Sequence, residues 1–62
     1  MNYKYKRGDI VIIYGPGEND GKFYEYRIAV IIDRDPYFKD YNVRFYDGTE
    51  DWILPKYIYQ KI

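Results

Sequence analysis

The 62-residue chain contains no cysteine and no histidine. Disulfides are therefore excluded, as are the thiolate and imidazole groups that hold most structural zinc. The same two absences remove the most frequent general base and the thiol nucleophile. Serine is missing too, and Thr49 is the only threonine. Glu50 and Asp51 cannot act together on one bond, because adjacent strand residues point to opposite faces. The glycines of GPGENDG lack the Lys-Ser/Thr and the following helix that a phosphate loop requires. Asp33 and Asp35 flank a loop and read as solvated carboxylates rather than metal ligands. The expectation is a protein that is not an enzyme and uses neither metal nor cofactor.

Net charge is also lacking, since 10 basic and 10 acidic side chains cancel. Non-specific nucleic-acid binding needs a strong positive field, which this balance does not supply. No apolar run approaches the ~20 residues that span a bilayer. No basic stretch leads into an apolar one as in a secretory signal. The sequence thus reads as a soluble intracellular chain, cytoplasmic or nuclear, forming one domain over residues 1–62.

Aromatics are what the sequence has in abundance: ten Tyr, three Phe and one Trp. A domain this small buries only about 60% of the surface its unfolded chain exposes. Large rings fill such a core efficiently, and tyrosine can keep its hydroxyl wet. No segment sustains a 3.6-residue apolar period, so the fold class is all-β. MNYKYKRGD reads as a frayed or edge segment with Tyr3 and Tyr5 on one face and Lys4 and Lys6 on the other. GDIVIIYGPG reads as a strand broken at Gly15, Pro16 and Gly17. FYEYRIAVIID is the longest strand, with Tyr24, Tyr26, Ile28, Val30 and Ile32 inward and Phe23, Glu25, Arg27, Ala29 and Ile31 outward. It is long enough to bend from one sheet into the next. RDPYFKD is a loop. YNVRFY sets Tyr41, Val43 and Phe45 against Asn42, Arg44 and Tyr46. Asp47-Gly48 is a hairpin turn, and TEDWIL returns. Pro55 ends that strand, PKYI makes a 3₁₀ turn, and YQKI closes. Five short strands with one long bent strand point to a small SH3-like barrel.

Two to four ring faces converging on one point can host a methylated ammonium group. A neighbouring carboxylate accepts any remaining N–H. Tyr14 ends the first strand, Tyr24 starts the second, Phe45 ends the third, and Asp47 stands in the following turn. These positions are expected at one barrel mouth. The competing reading makes the same rings plain core and barrel caps.

The stretch YNVRFYDGTEDWILPKYI resembles the second half of a Tudor domain. It has the alternating strand, the Phe, the acidic-Gly turn, the polar strand and Lys-x-Ile in a 3₁₀ turn. RGDIVIIY resembles the opening strand of that family, and DGKFYEYRIAVIID its second strand. The likeness spans about residues 7 to 60. It implies a five-stranded Tudor-like barrel with a 3₁₀ turn before the last strand. It also implies an aromatic cage at Tyr14, Tyr24 and Phe45, with Asp47 as the polar member and Thr49 at the last position. Tyr26 is the alternative to Tyr24. Tyr14 stands where the strongest cages carry Trp, and the first loop, GPGEND, is longer than usual.

Three functions follow as expectations. The first is a binding module that docks a peptide, including one carrying methylated Lys or Arg, on these rings. The second is nucleic-acid binding through Tyr3, Tyr5, Lys4, Lys6, Arg7, Arg27 and Arg44. The third is a protein–protein device of the viral inhibitor kind, a monomer or a weak dimer joined along an exposed strand edge.

Overall fold

Val11 and Ile13 alternate with Ile10, Ile12 and Tyr14 along the first strand, and the pleat sends the two sets to opposite faces. In the computed structural model, which describes residues 4–19 and 21–62, this strand is β1, Ile10–Pro16. The remaining strands are β2 (Phe23–Arg34), β3 (Tyr41–Phe45), β4 (Glu50–Ile53) and β5 (Ile58–Lys61), with a 3₁₀ turn at Pro55–Tyr57 before β5. No α-helix occurs among the described residues. The strands form one antiparallel sheet in the order β4-β3-β2-β1-β5. The protein is therefore all-β, as its missing helical period implies. Tyr3 and Asp20 lie outside the described residues.

One face of the sheet carries the core. Val11, Ile13, Ala29, Ile31, Val43, Phe45 and Ile53 are buried there, with Tyr41, Ile58 and Tyr24 beside them. Tyr41, Val43 and Phe45 point inward as their alternation implies. β1 runs further than the glycines suggest, because Gly15 and Pro16 still pair with Tyr24 and Phe23. Gly15 is required there, since a Cβ would run into the Tyr57 ring.

Two expectations need correction. The inward set on β2 holds at Tyr24 and inverts after it. Tyr26 and Ile28 are exposed and Val30 and Ile32 half-buried, whereas Ala29 and Ile31 are buried. The cause is a β-bulge. Between the pairs Ile13↔Arg27 and Gly15↔Tyr24, β2 spends one residue more than β1, and Tyr26 takes a positive φ of 53°. One extra residue flips every later side chain to the other face. A second bulge lies between Ile31 and Asp33 opposite β3. The described part of the N-terminal segment, from Lys4 on, is docked rather than frayed. Tyr5 is buried, its ring meets Tyr41 edge-on at 5.4 Å, and its N–H donates to the Tyr41 hydroxyl at 3.2 Å.

Candidate functional site

The residues expected to form one cage divide between the two faces of the sheet. Tyr24 and Phe45 are on the inner face, stacked at 4.4 Å between centroids and 30° between planes. Both are buried, Phe45 at 1% exposure. The Tyr24 hydroxyl donates to Asp51 Oδ2 at 2.7 Å, and Asp51 also accepts the N–H groups of Asn19 and Trp52. A carboxylate at 1% exposure is tolerable because its oxygens are so well supplied. Gly17 belongs to this packing, since a Cβ there would collide with Asp51 and Tyr24. The sequence reading placed Glu50 and Asp51 on opposite faces, and Glu50 is indeed exposed and paired with Arg44. The burial of Asp51 went unread. Its alternation with Ile53, the inward residue of the same strand, carried the signal.

The cation position beside Phe45 is already taken. The Arg27 guanidinium lies 5.0 Å from the Phe45 centroid, and its Nη2 is 3.6 Å from Asp47 Oδ2. Thr49 gives Asp47 two hydrogen bonds, from Oγ1 at 2.7 Å and from N–H at 3.0 Å. Those bonds, reinforced by the Arg27 charge, hold the Asp47 carboxyl below its ordinary value. Phe45, Asp47, Thr49 and Arg27 thus form a set with an internal cation over the ring. Truncating Phe45 would probe the core, not a free ligand site.

Tyr14 and Tyr26 lie elsewhere, on the outer face. The Tyr14 ring meets Phe23 edge-on at 5.3 Å and Tyr26 at 4.7 Å. Tyr26 in turn meets Tyr59 of β5 at 5.3 Å. Tyr14 is 38% exposed, and Tyr26, Phe23 and Tyr59 are each more than half exposed. Three strands contribute to this cluster. The bulge puts Tyr26 into it, because without the extra residue the ring would turn inward. The cluster continues as the cross-strand pairs Ile12↔Ile28 and Ile10↔Val30 on the same face. Beyond them an open groove of about 300 Å³ is lined by Ile10, Ile28, Val30, Arg44 and Tyr46 among others. The continuous apolar runs IVII and IAVII signalled this second apolar face, since strands apolar on both sides lose their alternation.

The basic residues named for nucleic acid are largely engaged. Arg7 pairs with Asp33 at 3.3 Å, Arg27 with Asp47, and Arg44 with Glu50 at 2.7 Å. Lys4 lies 5.6 Å from the Tyr5 ring, and Lys6 is exposed. Asp35 accepts the N–H groups of Tyr37 and Phe38 in a tight turn. Among the described residues, no group of three or more His, Cys, Asp or Glu side chains is arranged to hold a metal ion. No helix among them is long and apolar enough to cross a membrane. Comparison of the chain with protein-family models, curated proteins and solved structures finds no match.

Proposed function

We propose that this chain is a non-catalytic binding module, built as an SH3-like barrel, that docks a segment of another protein on its outer sheet face. The sheet order, the 3₁₀ turn between β4 and β5, and a twelve-residue β2 bent at two bulges support the barrel reading. The observation that carries the functional reading is the ring cluster of Tyr14, Phe23, Tyr26 and Tyr59. Tyrosines of this kind are enriched at interfaces, where the ring is covered and the hydroxyl stays wet. Tyr26 holds its ring there from a left-handed backbone, which costs a bulky residue roughly 1–3 kcal/mol and is concentrated at functional positions.

A protein segment suits this face better than a nucleic acid. Aliphatic pairs extend the cluster, and Arg7, Arg27 and Arg44 already hold carboxylates. A methylated Lys or Arg at Phe45 and Asp47, the use implied by the Tudor resemblance, first requires Arg27 to leave.

Selection from a displayed peptide library tests the proposal. Tyr26→Asn removes the ring while suiting the positive φ, because Asn adopts that backbone readily. Peptides selected on the native protein are expected to lose at least tenfold in affinity for this variant. Selected peptides that bind it equally well would overturn the reading.

A further inference from the structure

Two features of this molecule find no counterpart within it. The first is the tip of the hairpin between β2 and β3. Pro36, Tyr37 and Phe38 are exposed there, Tyr37 to 84% and Phe38 to 76%. Neither ring meets another ring or a cation among the described residues. Yet the turn that carries them is firmly built. Asp35 Oδ1 accepts the Tyr37 N–H at 2.7 Å and the Phe38 N–H at 3.0 Å, and the Asp35 carbonyl accepts the Lys39 N–H at 3.1 Å. The Asp35 N–H donates to the carbonyl of buried Asp40 at 2.8 Å. Two large rings thus stand outward on a backbone that is already ordered, which lowers the entropic cost of using them in a contact.

The second feature is the open groove of about 300 Å³ on the outer face, where Ile10 and Ile28 each remain about half exposed. That volume lies at the lower end of the roughly 300–1,000 Å³ of ligand sites, and it suits one or two side chains rather than a whole helix. Arg44 lines the groove as well. It gives Nε and Nη2 to Glu50, and its Nη1 has no acceptor among the described residues. A guanidinium attracts the electron-rich face of an aromatic ring, and its open N–H suits a phenolic oxygen. The groove therefore offers apolar walls and a positive charge, and the tip offers two rings and a hydroxyl. The tip does not turn back into the groove of its own chain. The pair Val30↔Arg44 at the groove and the pair Arg34↔Tyr41 at the foot of the tip lie on the same two strands, roughly 13 Å apart.

We propose that the Tyr37–Phe38 tip of one copy of this chain enters the outer-face groove of a second copy, so that the protein associates head to tail. Tip and groove are different patches, so the contact is heterologous, and a pair still carries one free tip and one free groove. The contact area is small, and association is therefore weak and reversible. It lies beside the ring cluster of Tyr14, Tyr26 and Tyr59 rather than on it, and so goes beyond the docking of a foreign segment there.

Sedimentation equilibrium from about 20 μM to about 1 mM, the range in which small contacts act, tests the proposal. The native protein is expected to gain mass steadily with concentration. Tyr37→Ser/Phe38→Ser removes the rings of the tip, and Ile28→Lys places a charge in the groove. All three positions are exposed, amide NMR spectra check that each variant is folded, and Ile10→Lys replaces Ile28→Lys if the latter is not. Each variant alone is expected to stay monomeric. An equimolar mixture of the two is expected to associate again and to stop at the dimer, because it holds one working tip and one working groove. Tyr26→Asn leaves tip and groove whole and is expected to associate as the native protein does, so this contact and the ring cluster fail separately. A native protein that stays monomeric throughout the range would overturn the proposal and leave the groove to a foreign segment. Variants that associate like the native chain would overturn it too, as would a mixture that stays monomeric. Loss of association in Tyr26→Asn would move the contact to the rings and equally contradict it.

Discussion

Arg27 sits over the ring of Phe45 at 5.0 Å while its guanidinium reaches Asp47 at 3.6 Å, so the protein supplies its own cation to a buried ring that has a carboxylate close by. A methylated peptide would have to displace that arginine. Trimethyl-lysine and dimethyl-arginine peptides are therefore expected to leave Phe45 and Asp47 unshifted in the NMR spectrum of the native protein. Arg27→Ala uncovers the ring and makes weak shifts there possible. Clear binding at Phe45 with Arg27 intact would show that the arginine is no barrier.

The stacked pair beneath it is structural. Tyr24→Phe keeps the ring but takes away a donor to Asp51 Oδ2, which should cost about 1–3 kcal/mol. Phe45→Ala removes a fully buried ring and should cost about 3–5 kcal/mol. In a domain of this size the second loss approaches the whole stability. Urea denaturation of both variants checks the ranking, and a near-neutral Phe45→Ala would contradict the core assignment.

Tyr26 should behave in the opposite way. Asn at this φ of 53° recovers about 1 kcal/mol of backbone strain, offsetting the ring contacts to Tyr14 and Tyr59, each worth about 0.5–1.5 kcal/mol. Thermal unfolding of Tyr26→Asn is expected within a few degrees of the native protein, with binding lost. A residue kept against its backbone preference, at no gain in stability, is what selection for a surface contact leaves behind.

On the acid side, two exposed carboxylates are held below their ordinary values. The Arg34 N–H and then Arg7 hold Asp33 below its ordinary value, and Thr49 and then Arg27 do the same for Asp47. A carboxyl lowered on folding stabilises above its unfolded value, and that contribution is lost as pH falls through the folded one. The midpoint should therefore drop below about pH 4. Asp33→Asn and Asp47→Asn should each make that drop shallower. An unchanged acid limb in both variants would assign it to other groups.

The sequence makes the strand sequence legible because its cues are local. Tyr41, Val43 and Phe45 alternate cleanly, Asp47-Gly48 turns, and Pro55 stops β4. The bulge at Tyr26 carries no such cue, since Tyr favours ordinary strand backbone, and that single extra residue turned Tyr26 and Ile28 from the inner face to the outer one. Tyr14 could have been assigned outward from the start, for it alternates with Val11 and Ile13. Asp51 was harder to place. Burial of an acid depends on partners far along the chain, here Tyr24.

The measurement that bears most directly on the outer-face account is chemical-shift mapping of the aromatic and amide resonances with a library-selected peptide. The account predicts shifts at Tyr14, Phe23, Tyr26 and Tyr59, extending toward Ile12 and Ile28, with Phe45 and Lys4 to Arg7 unmoved. Shifts confined to Phe45, Asp47 and Thr49, or to the basic N-terminal segment, would contradict it.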